Sequence, residues 1–262
     1  MTQSPDKFFE AEIVDRKDFS KDLWMVRVAP AGECSFVAGQ YATLAVDHKG
    51  KRVERAYSIV SSPYEKEIEF FIELVPGGQL TPLLYELRHG HSVLMRRAMK
   101  GRFTLDLKSG RPRHLMLATV TGIAPFVSYV RTLYRDWKNG NMPAPLQLFI
   151  LQGASRSWEF GYDAELERYA AEVPWLKYVP TVSRPWEDPA WQKETGRVED
   201  LIRKYADLWE CGPADTSIYL CGHPEMIEAG LGIFKRRGFP KESMQQEVYW
   251  IPPKQHLLKP AP

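Results

Sequence analysis

The stretch His114-Leu-Met-Leu-Ala-Thr-Val-Thr-Gly-Ile-Ala-Pro-Phe126 decides the fold. Residues 114–118 are a short apolar run of the length of a buried strand. A turn containing Gly122 follows. From residue 121 to 137, Ile123, Phe126, Val127, Val130, Tyr134 and Trp137 recur at helical spacing. Working outward, the alternation continues. Strands are predicted near 146–151, 176–181, 217–220 and 246–250, and helices near 162–172, 198–205 and 224–237. Strand–helix alternation implies a parallel sheet covered by helices on both faces.

The segment before residue 108 has another texture. Short strands at 23–28, 41–46, 52–60 and 67–75 are bounded by turn signals such as His48-Lys-Gly50, Ser61-Ser-Pro63 and Pro76-Gly-Gly78. Such regular short strands predict an antiparallel β-barrel, with one helix near 81–87. The polar junction Lys108-Ser-Gly-Arg-Pro-Arg113 separates the halves. The expected organisation is a barrel domain over 1–110, an α/β domain over 111–250, and a Pro-rich extension over 251–262.

Composition narrows the function. The 262 residues carry 35 Lys and Arg against 33 Asp and Glu, so the net charge of +2 gives no general case for nucleic-acid binding. Cys34, Cys211 and Cys221 are too few for a disulfide scaffold, an iron–sulfur centre or a Cys-rich zinc site. His89 and His91 alone make a poor metal site, and a turn is expected there. The N-terminus lacks a basic start followed by an apolar run, and the most apolar stretch, 115–130, is interrupted by polar residues. A cytoplasmic protein without a membrane span, a monomer in the first instance, is the expectation.

Five segments carry chemistry. In Arg55-Ala-Tyr-Ser58, Arg55 suits a phosphate, Tyr57 a conjugated ring and Ser58 a ring nitrogen, although a strand end with a surface Arg and a core Tyr would read the same. Gly77-Gly-Gln-Leu-Thr81 offers glycines before a helix with Thr81 as N-cap and Pro82 at N1; a capped helix after a hairpin turn explains it equally. Thr121-Gly-Ile-Ala-Pro-Phe126 lies where an open α/β sheet binds a dinucleotide phosphate, without the usual three-glycine fingerprint. Cys221 ends a buried strand, where sites on parallel sheets gather, or is simply a small buried hydrophobe. Glu247-Val-Tyr-Trp250 closes the last strand with an aromatic pair.

In this order the five segments resemble the bacterial-type ferredoxin (flavodoxin)–NADP reductase family, over nearly the whole chain. The resemblance implies an FAD-binding barrel joined to an NADP-binding α/β domain. It implies that Arg55 holds the FAD pyrophosphate, Tyr57 stacks on the flavin, and Ser58 sits near its N5, with Ala56 between them. Phe71, Ile72, Glu73 and Leu74 would line the flavin, Gln79, Leu80 and Thr81 grip its pyrophosphate, and Tyr249 with Trp250 cover its other face. Thr121, Gly122, Cys221, Gly222, Pro224 and Glu225 would take the nicotinamide nucleotide. Ser58, Cys221, Glu247 and Tyr249 are the implied catalytic group. For the 2′-phosphate, Ser155-Arg156, Ser183-Arg184 and Arg197 follow successive strands, which suits NADP(H) over NADH. Where the family usually reads Thr-Gly-Thr-Gly, this chain has Thr119-Val-Thr-Gly122, so Val120 places a β-branched side chain in the loop.

The function implied is FAD-dependent exchange of electrons between NADP(H) and a ferredoxin or flavodoxin. Eight Lys or Arg against one acid, Asp106, between residues 88 and 113 would steer such an acidic carrier. An NAD(P)H-dependent flavin reductase or oxygenase reductase component is the alternative enzyme. A flavin-binding subunit of a redox complex is the alternative without enzymatic activity.

Overall fold

The computed structural model describes residues 7–142 and 145–249. Two six-stranded sheets are built from consecutive halves of the chain. The first half contains β1 (Phe8–Asp18), β2 (Leu23–Pro30), β3 (Tyr41–His48), β4 (Lys51–Ser58), β5 (Ile68–Glu73), α1 (Thr81–Tyr85) and β6 (Ser92–Arg96). Its strands pair antiparallel in the order β4-β3-β6-β1-β2-β5. A bridge between Ile59 and Phe70 brings the end of β4 back to β5 and closes the curl. β3 and β4 join through Lys49-Gly50, both at positive φ, as a two-residue hairpin turn requires. Burial alternates along β1, and the inward residues Phe9, Ala11 and Ile13 pack with Trp24, Leu44 and Phe70 in one core.

The second half contains β7 (Arg113–Thr119), α2 (Ala124–Lys138), β8 (Gln147–Ala154), α3 (Asp163–Glu172), β9 (Leu176–Val182), β10 (Glu194–Thr195), α4 (Ile202–Leu208), β11 (Thr216–Gly222), α5 (Pro224–Arg236) and β12 (Met244–Val248). Its sheet is parallel, in the order β10-β9-β8-β7-β11-β12. Alternation along the buried strands splits the core in two. Met116, Ala118, Tyr219 and Cys221 pack with α2 and α3, whereas Leu115, Leu117, Ile218 and Leu220 pack with α4 and α5. Both faces are covered, which is why β7 and β11 read as unbroken apolar runs.

Several boundaries move. The helix expected from 121 begins at Ala124, because 120–123 form a 3₁₀ turn. The one expected over 198–205 is a 3₁₀ turn, Val198–Leu201, followed by α4. The last strand is Met244–Val248, two residues early. Thr81 is not the cap of α1: Leu80 holds that position, and the Thr81 hydroxyl accepts from the Val75 amide at 3.0 Å. It ties the Val75–Gly78 turn to the helix instead. At Gly90, φ is positive and the His91 ring accepts from the Arg88 amide at 3.0 Å, closing the expected turn.

The halves are joined along one face of α2. Ser128, Thr132 and Asp136, four residues apart, bond Ser61 O, Ser62 Oγ and the Tyr64 hydroxyl at 2.7, 3.0 and 2.6 Å. Beside them Glu69 of β5 is only 1% exposed. Its carboxylate accepts from Arg27 (2.7 Å), the Tyr162 hydroxyl (2.7 Å) and Arg131 of α2 (3.2 Å). Burial pushes its pKa up, but Arg131, Arg27 and Tyr162 outweigh that and hold it below the usual range. Arg131 is itself clamped by Glu165 at 2.7 and 2.9 Å.

Candidate functional site

The site lies where the C-terminal ends of β7 and β11 meet the end of β4. β11 and β12 run in register with Cys221 opposite Glu247 and Gly222 opposite Val248. This places Glu247 against the barrel, where the Ser58 hydroxyl donates to its Oε1 at 2.6 Å. Burial raises the Glu247 pKa, and the Ser58 hydrogen bond offsets part of the rise. The Cys221 thiol is buried, which pushes its pKa well above the ordinary value. Tyr249 has two aspects. The residue is 38% exposed, while its hydroxyl is buried against Cys221 and Ser58, and that burial raises its pKa. Ser58, Cys221, Glu247 and Tyr249, the four expected catalytic residues, therefore converge. Trp250 lies outside the described residues.

On the barrel side, Arg55 is exposed, bonding only the Glu54 carbonyl (2.7 Å) and Gln79 (3.3 Å) among the described residues. It has no carboxylate partner there, so its charge is available to an anion. Gln79 and Arg55 thus meet as the resemblance implies. Tyr57 is half-buried, edge-on to Phe70 at 6.4 Å. Phe71 and Ile72 are buried and Leu74 half-buried, so their side chains serve the core. Phe71 packs edge-on to Tyr162 at 5.1 Å.

A cleft of about 790 Å³ opens beside the quartet over the ends of β7, β8, β9 and β11. Gly153, Gly196 and Gly222 are among its lining residues, and Gly122 packs against the end of β11 beside it. A Cβ on Gly122 would lie 2.7 Å from the Cys221 carbonyl carbon and closer still to its oxygen. Gly222 has φ +128° and faces Thr119, whose hydroxyl accepts from the His223 amide at 2.8 Å. The two glycines therefore let the turn after β7 pack closely on the end of β11. Val120 sits beside it at φ +42°, a left-handed conformation that costs a β-branched residue roughly 1–2 kcal/mol. Packing on Ala154, Phe160 and Val182 holds it there.

Thr121, Ser155, Ser183, Arg184, Arg197, Gly222 and Glu225 line this cleft as expected, and Glu73, assigned to the flavin, lines it too. Gly122, Arg156, Cys221 and Pro224 do not. The Arg156 guanidinium is bound by Glu159 at 3.1 Å and Glu187 at 2.7 Å, so it supplies no free charge. Sequence reasoning missed Trp186, His223, Glu199 and Asp200 in the cleft. His223 was the most accessible to it, because His before Pro224 marks a helix start; its ring accepts from the Glu225 amide at 3.3 Å and caps α5. Among the described residues no cluster of three or more metal-binding side chains occurs.

An antiparallel barrel whose Arg55 has no carboxylate partner among the described residues, set against a cleft over the strand ends of a parallel sheet, defines a two-part flavin and nicotinamide oxidoreductase. Comparison with known proteins agrees. Residues 10–104 match the family model described as "Oxidoreductase FAD-binding domain", and residues 116–230 "Oxidoreductase NAD-binding domain". The flavodoxin/ferredoxin–NADP reductase of Escherichia coli (strain K12) is 32% identical over 73% of this chain and 76% of its own. The ferredoxin–NAD(P)(+) reductase component of the naphthalene 1,2-dioxygenase system of Pseudomonas putida is 31% identical over 94% of this chain and 70% of its own. A ferredoxin–NADP reductase from Neisseria gonorrhoeae, solved with FAD and NADP, shares the fold with TM-score 0.77 at 22% identity, covering 92% of this chain and 98% of that one. The chain belongs to the ferredoxin–NADP reductase family.

Proposed function

We propose that this chain is an FAD-dependent ferredoxin/flavodoxin–NADP reductase, with residues 1–110 serving the flavin and 111–250 the nicotinamide nucleotide. The observation that carries this is the 2.6 Å Ser58–Glu247 hydrogen bond, 189 residues apart in sequence, which brings both halves to one point. The residues fit both groups. Arg55 offers a guanidinium without a carboxylate partner among the described residues, Tyr249 is partly exposed, and Arg184 and Arg197 line the cleft.

When bound, FAD supplies the exchange between two-electron and one-electron chemistry. The protein's part is placement and proton control. Arg55 and Gln79 hold a pyrophosphate. Tyr57 presents a ring face. Tyr249, lying over the flavin as the resemblance implies, would have to move for a nicotinamide to stack there. The Ser58 hydroxyl donates to Glu247, whose pKa burial raises, so the pair places an exchangeable proton between the two halves. Arg184 and Arg197 supply positive charge to a ribose phosphate; Arg156 supports the loop. Between residues 88 and 113, Arg96 is paired with Glu54 and Arg113 with Asp215, so the carrier-steering charge rests chiefly on the others.

The dioxygenase-system relative, aligned over 94% of this chain, supports an oxygenase carrier as second acceptor reading. Among the described residues no helix is long and apolar enough to cross a membrane. The test is anaerobic stopped-flow reduction of the purified yellow protein by NADPH and by NADH, then reoxidation by ferredoxin, flavodoxin or free flavin. Faster reduction by NADPH and reoxidation by a carrier protein are expected. A colourless polypeptide that takes up no FAD would overturn the reading.

A further inference from the structure

Partway along β1 the strand changes phase. Its pairing with β2 sets Ile13 opposite Val28 and then Asp15 opposite Arg27, so Val14 is an extra residue, a β-bulge. Before the bulge the inward residues are Phe9, Ala11 and Ile13. After it the inward position falls on Arg16, opposite the core residue Val26, while Asp15 and Lys17 are exposed. Unbroken alternation would have turned Asp15 inward and Arg16 outward. The bulge thus carries a guanidinium into the barrel, and the Arg16 side chain is only 5% exposed.

A charge so placed needs partners. Asp18 accepts from Nε at 2.9 Å, and the guanidinium carbon lies 5.2 Å from the Trp24 ring centre and 4.9 Å from that of Tyr85. Nη1 donates to the carbonyls of Tyr85 and Leu87, each at 2.7 Å. Tyr85 is the last residue of α1, and Leu87 lies in the turn after it. A helix leaves its final carbonyls without partners of its own, and α1, with five residues, is far too short to hold its place unaided. Leu80 and Leu84 bury one side of it in the barrel core, and Arg16 ties down its end from within. The exposed Arg88 meets the same two carbonyls. At the other end of α1, the Thr81 hydroxyl holds the Val75–Gly78 turn, and Gln79 meets Arg55.

We infer that Arg16 is a positioning residue for the flavin pyrophosphate: by locking the end of α1 to β1 it holds Gln79 where Gln79 meets Arg55. Arg16 acts through the helix and touches no ligand itself. This rests on the flavin reading of the barrel above. The planar guanidinium suits the task, because one rigid group reaches two carbonyls and stacks on two rings at once.

The test measures flavin binding by the full-length chain. Release of flavin from diluted holoprotein, followed by its fluorescence, gives the Kd for FAD. Riboflavin, which has the ring system and no pyrophosphate, is titrated against the same chain freed of FAD. Arg16→Met keeps an apolar stem and removes every donor. Its Kd for FAD should rise about tenfold or more, the scale of one hydrogen bond to a charged group, while the Kd for riboflavin should change less than about twofold. Arg16→Lys keeps the charge and can serve only one carbonyl, so a rise of about threefold is expected. That variant decides the outcome should Arg16→Met fail to fold. The KM for NADPH at saturating FAD should stay within about twofold in both. FAD affinity within about twofold of wild type in Arg16→Met, or in Arg16→Lys where it alone folds, overturns the inference and leaves the functional reading standing. An equal loss with riboflavin, or a KM for NADPH raised as much as the Kd for FAD, also overturns it, since the disturbance would then be general. A wild-type protein that takes up no FAD overturns both.

Discussion

Replacing Gly122 by alanine tests the close packing of the turn after β7 on the end of β11. The φ at Gly122 is not in the left-handed region, so alanine suffers no backbone penalty and only space decides. The new methyl would lie 2.7 Å from the Cys221 carbonyl carbon and 3.0 Å from the Gly222 Cα. Ordinary carbon–carbon contact is about 3.5–4.0 Å, so the turn and the end of β11 must separate by roughly 1 Å. Overpacking of this kind costs about 1–3 kcal/mol, and 1 Å of misplacement near reacting groups costs about a hundredfold in rate. Cys221 is the register partner of Glu247, so the shift reaches the Ser58–Glu247 pair as well. We expect a Tm lower by about 2–12 °C, a full complement of FAD, a KM for NADPH raised at least tenfold, and flavin reduction slowed about a hundredfold. Absorbance, thermal unfolding and anaerobic stopped-flow measure these in turn. Reduction within threefold of wild type, with unchanged Tm, would refute the steric argument.

Two further outcomes follow from buried ionisable groups. Glu69→Gln leaves Arg27 and Arg131 without their shared carboxylate, and because Arg131 keeps Glu165 the loss should fall near the lower end for a broken buried pair, about 3 kcal/mol by denaturant unfolding; a loss below 1 kcal/mol would contradict the role assigned to this junction. His114 is wholly buried, and burial depresses its pKa to about 4, with Asp106 opposing weakly. A base with a depressed folded-state pKa stabilises the neutral form. Its contribution of about 3 kcal/mol is therefore complete above pH ~6.5 and disappears as pH falls toward 4. Tm measured from pH 7 to 4.5 should fall less steeply for His114→Gln than for wild type, and parallel curves would exclude His114 as a source.

The sequence made the alternation of the second half plain because β7 and β11 are buried on both faces and α2 is strongly amphipathic. Arg55, Tyr57 and Gly122 were legible for a similar reason, since each sits in a short segment whose chemistry is local. Glu69 was not: a lone acid in a strand looks like a solvent-facing residue until Arg131 and Tyr162 arrive from the other half. Arg156 misled because its neutralising partner, Glu187, is 31 residues away and reaches it only when β8 and β9 pair. Thr81 misled because its hydroxyl prefers Val75 upstream to the helix downstream. Val120 stood out as an unusual residue, yet only the folded turn reveals that its φ is positive.

The 189-residue span between Ser58 and Glu247 also orders events during biosynthesis. A ribosome adding roughly 5–20 residues per second makes Ser58 about 10–40 seconds before its partner carboxylate. A prosthetic group captured early would meet Arg55 and Tyr57 with its outer face still uncovered, because Tyr249 is made after every strand of the barrel.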